Sequence, residues 1–215
     1  MSNFPVYSAC DLISTENSES EIVVHELQDL LTEKSFIPEK PHRHTFHQIL
    51  YVEKGAGIHK IDFEDYSIDS PIIYFISAGQ VHDLNFKKQV TKGYLINFNA
   101  EFFTSFLAKS HCIDKLPFFR INGNFTSYQI KKEKAEELKE IFDKINFEYK
   151  QQKRKSEDLI RIYLLELFYF ILNDEENTDE NINITNQRIL INKFQKLVEE
   201  NYTAEHYPKF YADKL

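Results

Sequence analysis

PHRHTFHQILYVEKGAGIHKIDFEDYSIDSPIIYFISAGQVHDLN, residues 41–85, is the stretch that decides the fold. His42 and His44 stand two apart at the head of an apolar-rich run, and residues i and i+2 of a strand face the same side. Phe46, Gln48, Leu50 and Val52 share that parity. A glycine-marked turn, KGAG, follows at Lys54–Gly57, and a third histidine, His82, comes just after a second turn, SAGQ. Closing such strands into a small barrel gives an inner wall with imidazoles at one end and apolar side chains beyond them. A pocket for a small ligand or a metal is lined in this way.

The pattern extends outward in both directions. Strands are predicted over Ile22–Leu27, Phe46–Glu53, Ile58–Phe63, Ile72–Ile76, Val81–Phe86 and Tyr94–Phe98, with a turn at Phe63–Tyr66. Strands spaced by about 8–12 residues with turn signals between them predict a β-sandwich or barrel. Glycines 55, 57 and 79 fall at the expected turns, and no phosphate-loop pattern occurs. Residues 1–20 read as a polar arm.

After Asn99, a plausible cap, AEFFTSFLAKS predicts a short helix. Leu138, Ile141, Phe142, Ile145 and Tyr149 then form a helical stripe, broken by the basic QQKRK at 151–155. Ser156 is a plausible cap for a second helix. The spacing of Glu157 and Arg161 predicts an ordinary i,i+4 pair. From Leu159 to Leu172 only Arg161 and Glu166 are charged, so this helix needs cover on both sides. Ile160, Leu164, Leu167 and Ile171 make one stripe; Leu159, Ile162, Tyr163 and Phe170 lie largely off it. One side can cover the chain's own barrel. The other predicts a homodimer, with Ile160, Tyr163, Leu164, Leu167 and Ile171 as the candidate interface residues. Residues 173–187 read as an acidic linker.

The 215 residues suit one sensing domain with appended helices, and the net charge is −8. Residues 188–215 carry five basic and four acidic groups, leaving −9 on the remainder. That acidic body repels phosphate backbones. Cys10 and Cys112 are too few and too separated for a disulfide framework, which fits a reducing cytosol. The N-terminus does not read as a signal peptide, and no segment has the roughly 20 apolar residues of a membrane span.

The histidine-bearing segment resembles the paired motifs of the cupin barrel: His42, His44, Gln48 and Gly55 or Gly57 for the first, Ser77, Gly79, His82 and Asn85 for the second. Gln48 stands where the family has a metal-ligating acid, and Ser77 where it has proline. PHRHTFHQILYVEKGAGIHKIDF followed by GQVHDL resembles most the sensor domain of AraC-type transcription regulators. FQKLVEENY and YADKL, within residues 188–215, resemble the opening of that family's DNA-binding domain.

The resemblance implies an α+β chain. A cupin-like β-barrel (double-stranded β-helix or jelly roll) with its arm occupies 1–128, and an antiparallel helix pair for dimerisation occupies 129–173. A linker spans 174–187, and 188–215 begin a helix-turn-helix domain whose recognition helices lie outside this sequence. It also implies a cytoplasmic, non-enzymatic sensor of a small-molecule effector, such as a sugar or another polar metabolite, reaching DNA only through the missing domain.

The candidate ligand-binding residues are His42, His44, Phe46, Gln48, His82 and Tyr94, with Phe75 and Phe98 as further aromatics that either stack on ligand or fill the core. His42, His44 and His82 offer three metal nitrogens, but without a carboxylate at Gln48 the reading preferred is direct hydrogen bonding to a polar effector, with no metal or cofactor. His47 has the wrong parity for this group unless a bulge intervenes. The rival readings are a metal-dependent cupin enzyme of dioxygenase or isomerase type, and a small-molecule-binding module unrelated to transcription.

Overall fold

The computed structural model describes residues 4–8, 21–32, 40–62, 64–87, 91–104, 116–119, 125–151, 153, 155–176, 193–194, 197–198 and 201–215. The arm residues 9–20, both cysteines and most of the predicted linker lie outside these. The chain divides into two compact units, Met1–Ile171 and Leu172–Leu215.

The first unit is built on two facing sheets. In chain order its strands are β1 (Val6–Tyr7), β2 (Ile22–Glu26), β3 (Arg43–His44), β4 (His47–Lys54), β5 (Ala56–Ile61), β6 (Glu64–Asp69), β7 (Ile72–Ile76), β8 (His82–Phe86), β9 (Lys92–Phe98) and β10 (Ser127–Gln129). The larger sheet runs β10-β7-β4-β9-β2 and the smaller β6-β5-β8. All pairings within both are antiparallel. A short parallel pair, β1 with β3, holds the backbone before the histidine-bearing strand.

Residues directly opposite in antiparallel strands share a face, so the register sorts the side chains. Gln48, Leu50 and Val52 of β4 stand opposite Asn97, Leu95 and Gly93 of β9 and opposite Ile76, Tyr74 and Ile72 of β7. These point inward, where Leu50, Val52, Tyr74 and Ile76 meet Ile61 and Ile68 of the smaller sheet in one buried cluster. Leu27, the first residue of α1 (Leu27–Thr32), joins the same cluster. The smaller sheet is solvated on its other side, and β5 accordingly alternates buried with exposed.

The outward face of the larger sheet is covered as well. Tyr51 stacks on Phe142 of α3 (Ala135–Gln151) at 4.3 Å between ring centroids. Phe75 meets Phe118 at 4.6 Å, and Phe118 stacks on Phe168 of α4 (Ser156–Glu176) at 5.2 Å. Phe98 and Phe103, the latter on α2 (Glu101–Thr104), complete this aromatic layer at 5.5 Å from each other. Burial on both faces explains why β4 and β7 read as continuous apolar runs.

Several boundaries differ from expectation. β4 continues to Lys54 and β5 begins at Ala56, so Gly57 lies within a strand. A Cβ there would come 2.2 Å from the Asn85 carbonyl oxygen, so glycine is needed for the close approach of β8. Residues 64–66, expected as a turn, open β6; the turn falls on Asp62, which has a positive φ of 48°. The exposed, acid-rich β6 carries almost no apolar signal.

On α4 the stripe Ile160, Leu164, Leu167 and Ile171 is fully buried within the chain. This corrects its assignment to a dimer interface: these side chains are already filled by the aromatic layer and neighbouring elements. Tyr163 is half-buried beside Lys144, whose ammonium lies 5.7 Å from its ring. Exposed apolar surface on α4 belongs instead to Ile162 at 46% and Tyr169 at 53%. The expected Glu157–Arg161 pair is present, and Arg161 is itself buried. Its guanidinium donates to the Phe102 carbonyl and to Asp158 and lies 4.2 Å from the Phe102 ring, with Glu157 at only 3.5 Å. Ser156 opens α4, and its hydroxyl donates to Glu148 of α3 at 2.9 Å.

In the second unit α5 (Pro208–Ala212) carries Tyr211, whose hydroxyl donates to the Glu205 carbonyl at 2.6 Å and whose ring meets Phe194 at 5.9 Å.

Candidate functional site

The imidazole end of the barrel is assembled from three chain segments. Two reciprocal backbone hydrogen bonds join His42 and His82, 3.0 Å and 2.9 Å long. The Gly79 amide donates to the His44 carbonyl at 2.8 Å, latching the 77–81 turn onto β3. Gly79 needs its left-handed backbone, φ 86°, for that turn. The turn is closed from the other side by Asp62, which accepts from Gln80 Nε2 at 2.6 Å and from the Val81 amide at 3.1 Å.

On this frame the predicted alternation holds from 42 to 48: His42, His44, Phe46 and Gln48 are buried, while Arg43 and Thr45 are exposed. The rings of His42, His44 and His82 converge, with centroids 4.3 Å (His42–His82), 4.6 Å (His44–His82) and 5.9 Å (His42–His44) apart. One nitrogen from each lies within 4.8 Å of the others. Phe46 stacks on His44 at 4.3 Å with an interplanar angle of 9°, fixing the ring plane.

A fourth histidine, His59 of β5, joins them: its Nε2 lies 3.1 Å from His82 Nδ1. Sequence reasoning did not single it out. The signal was present in GIHKI, where exposed Ile58 and Lys60 flank His59 and leave it on the face of buried Ile61.

Hydrogen bonds settle two tautomers. His42 Nδ1 meets the Lys40 carbonyl and His44 Nδ1 the Phe46 carbonyl, each at 3.0 Å. A carbonyl only accepts, so both Nδ1 atoms carry the proton and both Nε2 atoms present a lone pair. Burial holds the rings neutral. Desolvation lowers the pKa of His44 to about 4 and of His59 to about 3, pushes His82 well below the usual imidazole range, and lowers His42. The Nε2 atoms of His44 and His82 and Nδ1 of His59 are buried without a hydrogen-bond partner.

Gln48 lies inward, where its Nε2 donates to Asn97 Oδ1 at 2.9 Å. Tyr94 is not brought to this group. It belongs to the outward face, opposite Tyr51, with its hydroxyl donating to Asp143 of α3 at 2.7 Å. Phe75 and Phe98 are likewise in the aromatic layer. His47 is on that face too, 4.8 Å from Phe119; the bulge in β4 falls further along, between Val52 and Lys54. Asn85 is exposed on the outer side of β8.

Residues 34–168 match the family of the AraC-like ligand binding domain, and the chain belongs to that family. Its inward-facing sheets and helix pair are the cupin-like fold of a ligand-sensing regulator domain. No curated protein matches the sequence. Among solved structures, an apo form of a ToxT variant from Vibrio cholerae is similar at 15% identity and a TM-score of 0.45, covering 91% of this chain and 70% of that one. A second ToxT structure from Vibrio cholerae gives 12% identity and a TM-score of 0.43, covering 90% and 69%.

Proposed function

We propose that this chain is the effector-sensing and dimerising part of a cytoplasmic transcription regulator, and not an enzyme. The observation that carries the reading is an inward wall, apolar from Leu50 to Ile76, that ends in buried polar groups with unfilled hydrogen-bonding capacity. A small polar effector enters there. His42, His44, His82 and Gln48 supply its polar contacts, and Phe46 backs the His44 ring. Tyr94 acts at a distance from ligand, through Asp143. Occupancy biases the arrangement of α3 and α4, to which the barrel is fastened, provided the ligand binds the two arrangements with different affinity.

Two copies associate through the exposed apolar side chains of α4, Ile162 and Tyr169, together with Phe147 of α3, which is 60% exposed. Residues 188–215 form the start of the DNA-binding domain. Among the described residues, no helix is long and apolar enough to cross a membrane.

A thermal-shift panel of monosaccharides and other hydroxylated metabolites tests the sensing role. A binder at 100 times its Kd stabilises the fold by about 2.7 kcal/mol. Gln48→Leu should weaken that shift, because a buried amide contact is lost. Chemical conversion of a panel compound by the purified protein would replace the sensor reading with an enzymatic one. Sedimentation at micromolar concentration should show a dimer, and Ile162→Glu with Tyr169→Glu a monomer.

A further inference from the structure

We infer that Gln48 and Asn97 together form the specificity element of the effector site, selecting an uncharged ligand with a carboxamide or lactam group over the matching carboxylate. The inference rests on the sensing role proposed above and names a ligand class for it.

The register supplies the pair. Gln48 of β4 stands directly opposite Asn97 of β9, both on the inward face and each only 5% exposed. Their other neighbours across the sheet are Ile76 and Val23, whose side chains form no hydrogen bonds.

The bond within the pair sets what is left over. An amide side chain has two N–H donors and one accepting oxygen. Gln48 Nε2 donates to Asn97 Oδ1 at 2.9 Å, and neither side chain forms another hydrogen bond among the described residues. The Gln48 carbonyl and the Asn97 NH2 group are therefore left, one accepting and one donating, each held in direction by the bond between them. Turning both amides over exchanges the roles and leaves the same set. Buried amides with capacity to spare are rare. Their complement is a planar group with N–H and C=O on one edge, which is an amide. A hydroxyl rotates and needs no such fixed pattern.

Charge decides between an amide and its isosteres. The inward positions of β2, β5, β7, β8 and β9, and of β4 as far as Val52, carry no Asp, Glu, Lys or Arg. Asp62, beside the imidazole end, spends its oxygens on Gln80 and Val81. Burial keeps His44 and His82 uncharged, so neither offers a positive partner. An ion brought in here loses its water and gains no counter-charge, which is strongly unfavourable. A carboxylate is excluded twice over, because the Nε2 lone pairs of His42 and His44 accept and cannot donate to it. The N–H groups of an amide suit those same lone pairs.

The test applies three isosteric probes to the full chain: acetamide, acetate and acetamidinium, at equal concentration and ionic strength. Nitrogen-15 correlation spectra follow the side-chain NH2 signals of Gln48 and Asn97, with exposed Gln129 as control. Acetamide and the lactam pyrrolidinone should shift both signals saturably and leave Gln129 unmoved. Acetate and acetamidinium should bind roughly tenfold more weakly, the effect of leaving one buried group unmatched.

Asn97→Asp turns the pair into two acceptors, so that variant should prefer acetamidinium to acetamide. A purely structural role for Asn97 predicts no such exchange of preference. The spectra of the unaltered chain carry the test alone where the variant does not fold. Acetamide that leaves both signals unmoved, or acetate that moves them equally, overturns the inference. The two readings fail separately. A panel compound that raises the thermal midpoint without moving these signals keeps the sensing role and removes the pair from it. Conversion of a bound amide by the protein removes the sensing role and keeps the pair.

Discussion

The two sides of the larger sheet are covered for opposite ends. Its outward face ends in aromatic rings that satisfy one another: Phe75, Phe98, Phe118 and Phe168 need only shape and water exclusion. Its inward face looks across the barrel to imidazoles of β3, β5 and β8 whose nitrogens do not all find partners. Both are buried, yet only the second holds chemistry in reserve. Burial alone therefore does not mark a site; burial with unmet hydrogen-bonding capacity does.

The largest expected effect comes from the aromatic side. Phe168→Ala should cost about 3–5 kcal/mol in denaturant unfolding, because the ring joins Phe75, Phe103, Phe118 and Phe119 and leaves a cavity.

Acid should separate the faces next. His44, His59 and His82 stay neutral in the fold, while an unfolded histidine takes up its proton near pH 6.5. The unfolded chain then holds more protons, so stability is complete above about pH 6.5 and falls as pH drops toward about 4. Each ring adds a slope of up to about 1.4 kcal/mol per pH unit. Unfolding curves of chelator-treated protein at several pH values check this, and a flat profile from pH 7 to 5 would mean the rings are not sealed from solvent.

A smaller effect is expected at the sheet edge. Glu26→Gln should cost less than about 1 kcal/mol, since its partner Lys150 is solvent-exposed and salt screens the pair. The carboxyl of Glu26 lies below its usual range because of the hydrogen bonds from Lys150 and Asn146.

The smallest change should come from replacing both His59 and His82 by Phe and Leu in metal-free protein. Removing both partners together strands neither, so stability should stay within about 1 kcal/mol. A loss as large as that of Phe168→Ala would break the contrast between the faces.

How much of this was legible follows from periodicity. The alternation His42, His44, Phe46, Gln48 was readable because only one side of that segment is covered. From Ile49 to Val52 and from Ile72 to Ile76 both sides are covered, so the sequence marked strands but not their faces. Tyr94 was drawn toward the ligand for that reason. A count of parity across the Tyr51–Tyr94 pair places it outside, but pairing is long-range information that one strand does not carry. Alternation puts His59 on the face of Ile61, but a lone histidine gives no sign of His82, its neighbour across the sheet. On α4, two apolar stripes were visible, and only packing against Phe118 and its neighbours distinguishes the internal one.

Strand β9 crosses between these two worlds. Asn97 receives the Gln48 amide on the inside, and Tyr94 gives its hydroxyl to Asp143 on the outside. Next to Tyr94 in register, Glu26 receives Asn146 and Lys150 from the same helix. Residues 143, 146 and 150 share one side of α3, so three polar rungs fall in line. The strand works as a through-bolt: its head sits against the inward wall and its nut against the helix. Three residues of strand cover only about 10 Å. Under the proposed sensing role, a shift of Gln48 has a short, stiff route to α3, along one backbone, with no bending of the sheet.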